Sequence, residues 1–359
     1  AALGLALDHL ADAQERIEAA VNTSEYDPRQ LEAIEERLFA LRAGALAEGK
    51  RFALVSREGA LVFNNVMLSG ILAVVLLGTL YPLAAEALGT RVSIGPPYYN
   101  PVSAIFAVPM LLVLLVGPLL RWKRDSLSRI AVPLAIVGAL LAASVTVLVL
   151  FTDAGVLPVL GLAIAVALAL ASWLPLRGRK LKRVPLALWG SMLAHFGVAV
   201  SLAGMASETA FSIERLVAVE AGESVAVGPY QVTLQEVDPV AGPNWTALEG
   251  RLAITGGGVD TVLRPQARYF TDPPQSTSES ALLTRWDGQF YAILGDAAGE
   301  GRWQLRLWWK PFVTLIWYGA LLIALGGLLA LIGRVLTDLR HRRLAARIAE
   351  RRADREALA

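Results

Sequence analysis

Six apolar runs of about 20 residues, bounded by charged or turn-rich connections, restrict this chain more than any other feature. At helical rise, about 20 residues cross the roughly 30 Å hydrocarbon core of a bilayer. The runs fall near 61–85, 101–120, 130–151, 157–176, 186–206 and 312–333. One soluble core seldom gathers six such helices, so the fold class expected is an α-helical polytopic membrane protein of about six transmembrane helices. Composition agrees, because the hydrophobic share is 55% and mean hydropathy +0.52, against about 45–50% apolar residues in ordinary globular chains.

Orientation follows from the basic residues of the short loops. Lys50, Arg51 and Arg57 precede the first run, and Arg121, Lys123, Arg124 and Arg129 lie between the second and third. Arg177, Arg179, Lys180, Lys182 and Arg183 lie between the fourth and fifth, and arginines crowd the tail from Arg334 to Arg355. The alternate connections, such as Thr152–Val156, are nearly free of lysine and arginine. Both termini are therefore expected in the cytoplasm, and the long segment between the fifth and sixth runs on the outer face.

That segment, residues 207–310, reads as strands. Ser224–Val237 alternates apolar and polar side chains around a Gly-Pro turn, and further Gly- or Pro-rich turns follow. A small mainly-β extracytoplasmic domain is expected there. Residues 1–48 differ again, being acidic with apolar residues at helical spacing, as in Leu31, Ile34, Leu38 and Leu41. The organisation expected is a cytoplasmic helical leader over 1–48, a five-helix transmembrane domain over 49–206, the β domain over 207–310, a last span over 311–333 and a basic tail over 334–359. A first residue Ala1, with no signal peptide after it, fits a fragment or an unusual fusion.

Composition also limits the chemistry. Cysteine is absent, which removes thiolate nucleophiles, zinc–thiolate sites and covalent haem attachment to this chain. A net charge of +2 gives no reason to expect nucleic acid as a partner, whereas membrane lipid is an obligatory one. Of three histidines, His9 and His341 lie in charged segments and read as solvated. His195 falls near the middle of the fifth run, where an ionisable side chain is costly and marks function by default. Its imidazole suits an axial haem ligand, and small neighbours such as Ser191, Ala194, Gly197 and Ser201 leave room for a planar group. The other reading, a histidine hydrogen-bonded to a neighbouring helix, is equally compatible with the residues. Glu58, Asn64 and Asn65 at the start of the first run fit an interfacial network, a helix cap or headgroup anchoring, and Trp308-Trp309 before the last run fits an aromatic belt.

Several motifs, in order, carry a family resemblance: Val55–Asn65, Leu77–Pro82, Ser93–Asn100, Ala194–Ala199, Ser212–Arg215, Gly242–Trp245 and Lys310–Trp317. Over residues 50 to about 335 the chain resembles the C-terminal half of the CcmF/NrfE family of cytochrome c haem lyases. The resemblance implies cytochrome c maturation, in which haem from the carrier CcmE is joined by thioether bonds to an apocytochrome c with the help of CcmH and associated thiol-reducing subunits. It implies a bacterial inner membrane location and a b-type haem, with His195 as one axial ligand. The family's substrate-facing WWD segment, its outer-face histidines and its first transmembrane histidine have no counterpart here, so the second axial ligand is expected from elsewhere and the chain alone is expected to lack lyase activity. No catalytic residue is assigned. Residues 24–42 resemble the coiled-coil arm of the DNA-repair protein RecN, without any phosphate-binding loop to carry ATPase activity. A transporter or channel without chemistry is the alternative, although no internal repeat supports it.

Overall fold

The computed structural model describes residue 53 and residues 55–299 and 301–357. The leader expected over 1–48, with its RecN-like segment and His9, lies outside the described residues. Among the described residues five α-helices come first: α1 (Arg57–Ala87), α2 (Pro96–Val116), α3 (Leu127–Phe151), α4 (Val156–Ala171) and α5 (Leu186–Phe211). The strands β1 (Ile213–Val219), β2 (Ser224–Val227), β3 (Tyr230–Ala241), β4 (Trp245–Gly256) and β5 (Val259–Leu263) follow. Then come β6 (Gln266–Thr271), β7 (Pro274–Glu279), β8 (Ala281–Arg285), β9 (Gly288–Ala297), β10 (Trp303–Pro311) and a last helix α6 (Leu315–Ala357). Among the described residues, 6 helices are long and apolar enough to cross a membrane. Helix α5 passes its expected end at 206 to reach Phe211, and the helix after β10 runs on through the arginine-rich tail.

Local chemistry explains the helix starts. Ser56 caps α1, its Oγ accepting a hydrogen bond from the Gly59 N–H at 3.0 Å. Helix α2 opens on Pro96, whose missing N–H costs nothing in the first turn. The helix surfaces then say where they reside. On α1, Leu72, Leu77 and Leu83 are 66%, 64% and 60% exposed. Each such side chain forgoes about 1.5–3 kcal/mol if it stays in water, so this face is stable only against hydrocarbon or another protein. By contrast α4 is the central helix, with Ala163, Ile164, Ala167 and Leu168 all at most 2% exposed, and it joins α2, α3 and α5 in one apolar cluster.

The tightest packing lies between α5 and α6. Gly190, Gly197 and Gly204 recur every seven residues on α5, and Gly319, Gly326 and Gly333 recur every seven residues on α6. A Cβ on Gly197 would stand 2.7 Å from the Gly319 carbonyl oxygen, and one on Gly326 would stand 2.4 Å from the Ala194 nitrogen. Glycine at these positions thus lets two backbones touch, the usual device where lipid supplies no hydrophobic drive between helices. A seven-residue repeat is the period that keeps two such stripes facing each other along a left-handed supercoil. Ser201 adds a hydrogen bond across the seam, its Oγ donating to the Ile316 carbonyl oxygen at 3.1 Å.

This seam continues out of the membrane as a β ladder. Only Ser212 separates α5 from β1, and β1 pairs antiparallel with β10 from Ile213↔Trp309 to Val219↔Trp303, after which the chain turns into α6. Lys310 Nζ donates to Glu208 Oε1 at 2.9 Å and fastens β10 to the end of α5. The strands form two sheets, one in the order β1-β10-β9-β8 and one in the order β2-β3-β4-β6-β7 with β5 on β4. Between them lies a core that includes Val227, Leu234, Ile254, Phe290, Leu294 and Leu307, all 0% exposed.

One expectation for this region is corrected. Trp309 is not a belt residue: it is 8% exposed, meets Tyr230 edge-on at 5.3 Å and packs in the sandwich core. Its neighbour Trp308 faces the opposite side, against Tyr291 at 4.9 Å and beneath the Arg306 guanidinium at 4.5 Å. The pair sits in a strand, and the period-2 alternation of β10 sends its members to opposite faces.

Candidate functional site

His195 lies on α5 one residue beyond Ala194, whose backbone touches Gly326 of α6, so the seam fixes which way the ring leaves the helix. The His195 Nδ1 is 2.7 Å from the Ser191 carbonyl oxygen one turn earlier. A carbonyl can only accept, so Nδ1 carries the proton in the neutral ring and Nε2 keeps its lone pair. Holding one imidazole nitrogen to a backbone carbonyl is how proteins orient a metal-ligating histidine. The sequence reading of a histidine bonded to a neighbouring helix is not what the geometry displays, because the partner belongs to α5 itself.

The half-buried ring lines two clefts. One, of about 180 Å³, is mostly apolar and is bounded by Leu61 and Asn64 of α1, Met110 and Leu114 of α2, and His195. The other, of about 660 Å³, lies against α6 at Gly326 and Ala330 and carries Arg179 and Arg334 beside His195. Arg57 borders both clefts. Its guanidinium sits 5.1 Å from the centre of the Trp122 ring.

A polar network at the start of α1 holds Arg57 in place. The Arg57 N–H donates to the Arg121 carbonyl oxygen at 2.9 Å, and the Asp125 N–H donates to the Val55 carbonyl oxygen at 2.9 Å. Glu58 Oε2 accepts from the Lys123 N–H at 2.6 Å. The Arg129 guanidinium binds the Asp125 carboxylate and holds that carboxyl well below the usual range. Of the polar residues singled out from sequence, Glu58 therefore serves the loop, Asn64 enters the His195 cleft and Asn65 is exposed.

Arg57, Arg179 and Arg334 come from three separate segments, and in the sequence they mark only orientation. The seven-residue glycine period was a usable signal for α5 against α6, since such a repeat on two spans predicts a close pair. Among the described residues no cluster of three or more His, Asp or Glu side chains could hold a metal ion, so His195 is a lone candidate ligand.

Comparison with known proteins places this geometry. Residues 210–311 match the family model described as the CcmF C-terminal β-sandwich. The chain is 37% identical over 315 residues to the cytochrome c-type biogenesis protein CycK of Rhizobium meliloti (strain 1021), covering 83% of this chain and 47% of that protein. It is 37% identical over 306 residues to CcmF of Escherichia coli (strain K12), covering 82% of this chain and 46% of that protein. A solved structure of cytochrome c haem lyase CcmF superposes with a TM-score of 0.62 at 28% identity, over 78% of this chain and 46% of that one. The chain spans about half the length of the curated relatives it matches. A multi-pass helical membrane protein whose last two spans carry this β-sandwich between them, the chain belongs to the family of cytochrome c-type biogenesis proteins that includes CcmF and CycK, as the counterpart of their C-terminal half.

Proposed function

We propose that this chain is one half of a cytochrome c haem lyase, and that His195 Nε2 is one axial ligand of a b-type haem. The observation that carries the reading is the His195 ring itself, in the middle of a membrane span with Nδ1 committed to the Ser191 carbonyl and Nε2 left with its lone pair. The surroundings suit such a group. Leu61, Met110 and Leu114 offer an apolar wall, while Arg57, Arg179 and Arg334 offer cations for the two carboxylates that a haem carries. When bound, haem would supply one-electron redox chemistry. The chain's own residues hold the imidazole tautomer, shield one side from water and place positive charge at the edge.

In this reading His195 would hold the haem iron from one side, and the second ligand would come from the N-terminal half of the family's proteins, which bears the WWD segment. In this reading the β-sandwich faces the periplasm, both termini are cytoplasmic and the membrane is the bacterial inner membrane, consistent with the basic residues at one edge of the bundle. Haem would arrive from CcmE, and apocytochrome thiols would be kept reduced by CcmH and associated subunits.

The test is the reduced-minus-oxidised absorption spectrum of the detergent-purified chain co-expressed with a WWD-containing N-terminal half, compared with His195→Ala. A b-type band present in the wild type and lost in a variant that still co-purifies with its other half is the expected outcome. An unchanged band in His195→Ala rules out the ligand assignment. Transfer of haem to an apocytochrome by the purified chain alone would refute the division of labour.

A further inference from the structure

A second basic cleft lies at the membrane edge where α5 begins, apart from the His195 site. It has a volume of about 540 Å³ and is walled by the turn before α5 on one side and by α6 on the other. Lys182 and Arg183 of the turn and Arg340 of α6 converge on it from positions about 150 residues apart in sequence, and all three are exposed. Among the described residues no carboxylate lines the cleft and none of the three cations forms an ion pair. Concentrating three like charges is unfavourable unless an anion joins them.

The position of the cleft selects the anion. The apolar span of α6 ends at Arg340 and that of α5 starts at Leu186, so the cleft lies at the level where hydrocarbon gives way to headgroups. Its floor is closed at Gly333, where a Cβ would stand 2.4 Å from the Ala187 nitrogen. Leu186 and Leu336, 38% and 45% exposed, line the cleft and offer apolar surface beside the charges. A soluble anion uses the cations but gains nothing from the leucines. A phospholipid uses both, and basic pockets between spanning helices are the usual form of such sites.

We propose that the cleft formed by Lys182, Arg183, Leu186, Gly333, Leu336 and Arg340 binds an anionic phospholipid, its phosphate among the three cations and its acyl chains along the leucines. The site braces the glycine seam at its open end, because one ligand bridges the start of α5 and the end of the α6 span.

Native mass spectrometry of the full chain in detergent, with phosphatidylglycerol or phosphatidylcholine added, tests the assignment. The wild type is expected to retain phosphatidylglycerol selectively. The triple variant Lys182→Gln/Arg183→Gln/Arg340→Gln is expected to lose about a hundredfold in retention, from three cations each contributing a factor of about 5. Arg340→Gln alone, a milder change should the triple variant fail to fold, is expected to lose about fivefold. A charge-matched control at the same edge, Arg121→Gln/Lys123→Gln/Arg124→Gln, should retain the lipid. Equal losses in both triple variants would mean a diffuse surface field and overturn the site. Unchanged retention in the cleft variants overturns it as well. Displacement of the lipid by millimolar inorganic phosphate would assign the cleft to a soluble anion and overturn the lipid reading.

Discussion

Phe290 and Leu294 in the sandwich are 0% exposed, whereas Leu72 and Leu77 on α1 are 66% and 64% exposed, although all four are large apolar residues within regular elements. In the sandwich the large side chains meet between two sheets and glycines sit mainly at turns. In the bundle many large side chains point outward, the cluster around Ile164 and Leu168 of α4 apart, while glycines mediate the closest helix contact, with Gly197 against Gly319 and Gly326 against Ala194. The difference follows from the solvent each region is built for. Where water surrounds the domain, removing apolar area from it is the main drive. Where hydrocarbon surrounds the helices that drive vanishes, and close van der Waals approach between backbones takes its place.

The comparison can be broken or sharpened by substitution. Phe290→Ala should have the largest effect, costing the sandwich about 3–5 kcal/mol through lost burial and a cavity, read by denaturant unfolding of the full chain followed by tryptophan fluorescence. Gly197→Ala comes next, at about 1–3 kcal/mol, because its Cβ can fit only if α5 and α6 separate. Thermal unfolding in detergent would check it, and an unshifted midpoint would show that the seam is looser than its contacts imply. Ser201→Ala removes the bond to the Ile316 carbonyl and should cost about 0.6 kcal/mol, as interhelical hydrogen bonds in membranes commonly do. Leu72→Ala should stay within about 0.5 kcal/mol, since lipid replaces lipid-facing contacts. A loss in a co-expressed complex, absent from the chain alone, would instead place a protein partner on that face of α1.

The spans, the β character of the segment between the last two and the candidate histidine were all legible from residue order. Apolar runs of spanning length and period-2 alternation are local properties, and an ionisable group inside an apolar run needs no tertiary information to be noticed. What residue order did not convey was partnership. Arg57, Arg179 and Arg334 looked like loop markers, and their meeting at the His195 cleft depends on which helices are neighbours. The Trp308-Trp309 pair looked like one unit at a membrane edge, whereas β10 splits it between two faces of a strand.

By itself, then, the sequence determined the class of the protein: the number of spans, the place of the β domain and the single imidazole in the membrane, because solvent and backbone periodicity impose these residue by residue. Only the tertiary structure decided that the Nδ1 of His195 is spent on the Ser191 carbonyl, that two glycine stripes make one seam running on into the β1–β10 ladder, and that cations distant in sequence share a cleft. Those outcomes depend on which helix faces meet, and in hydrocarbon that choice rests on small residues and single polar contacts, which leave little trace in hydropathy.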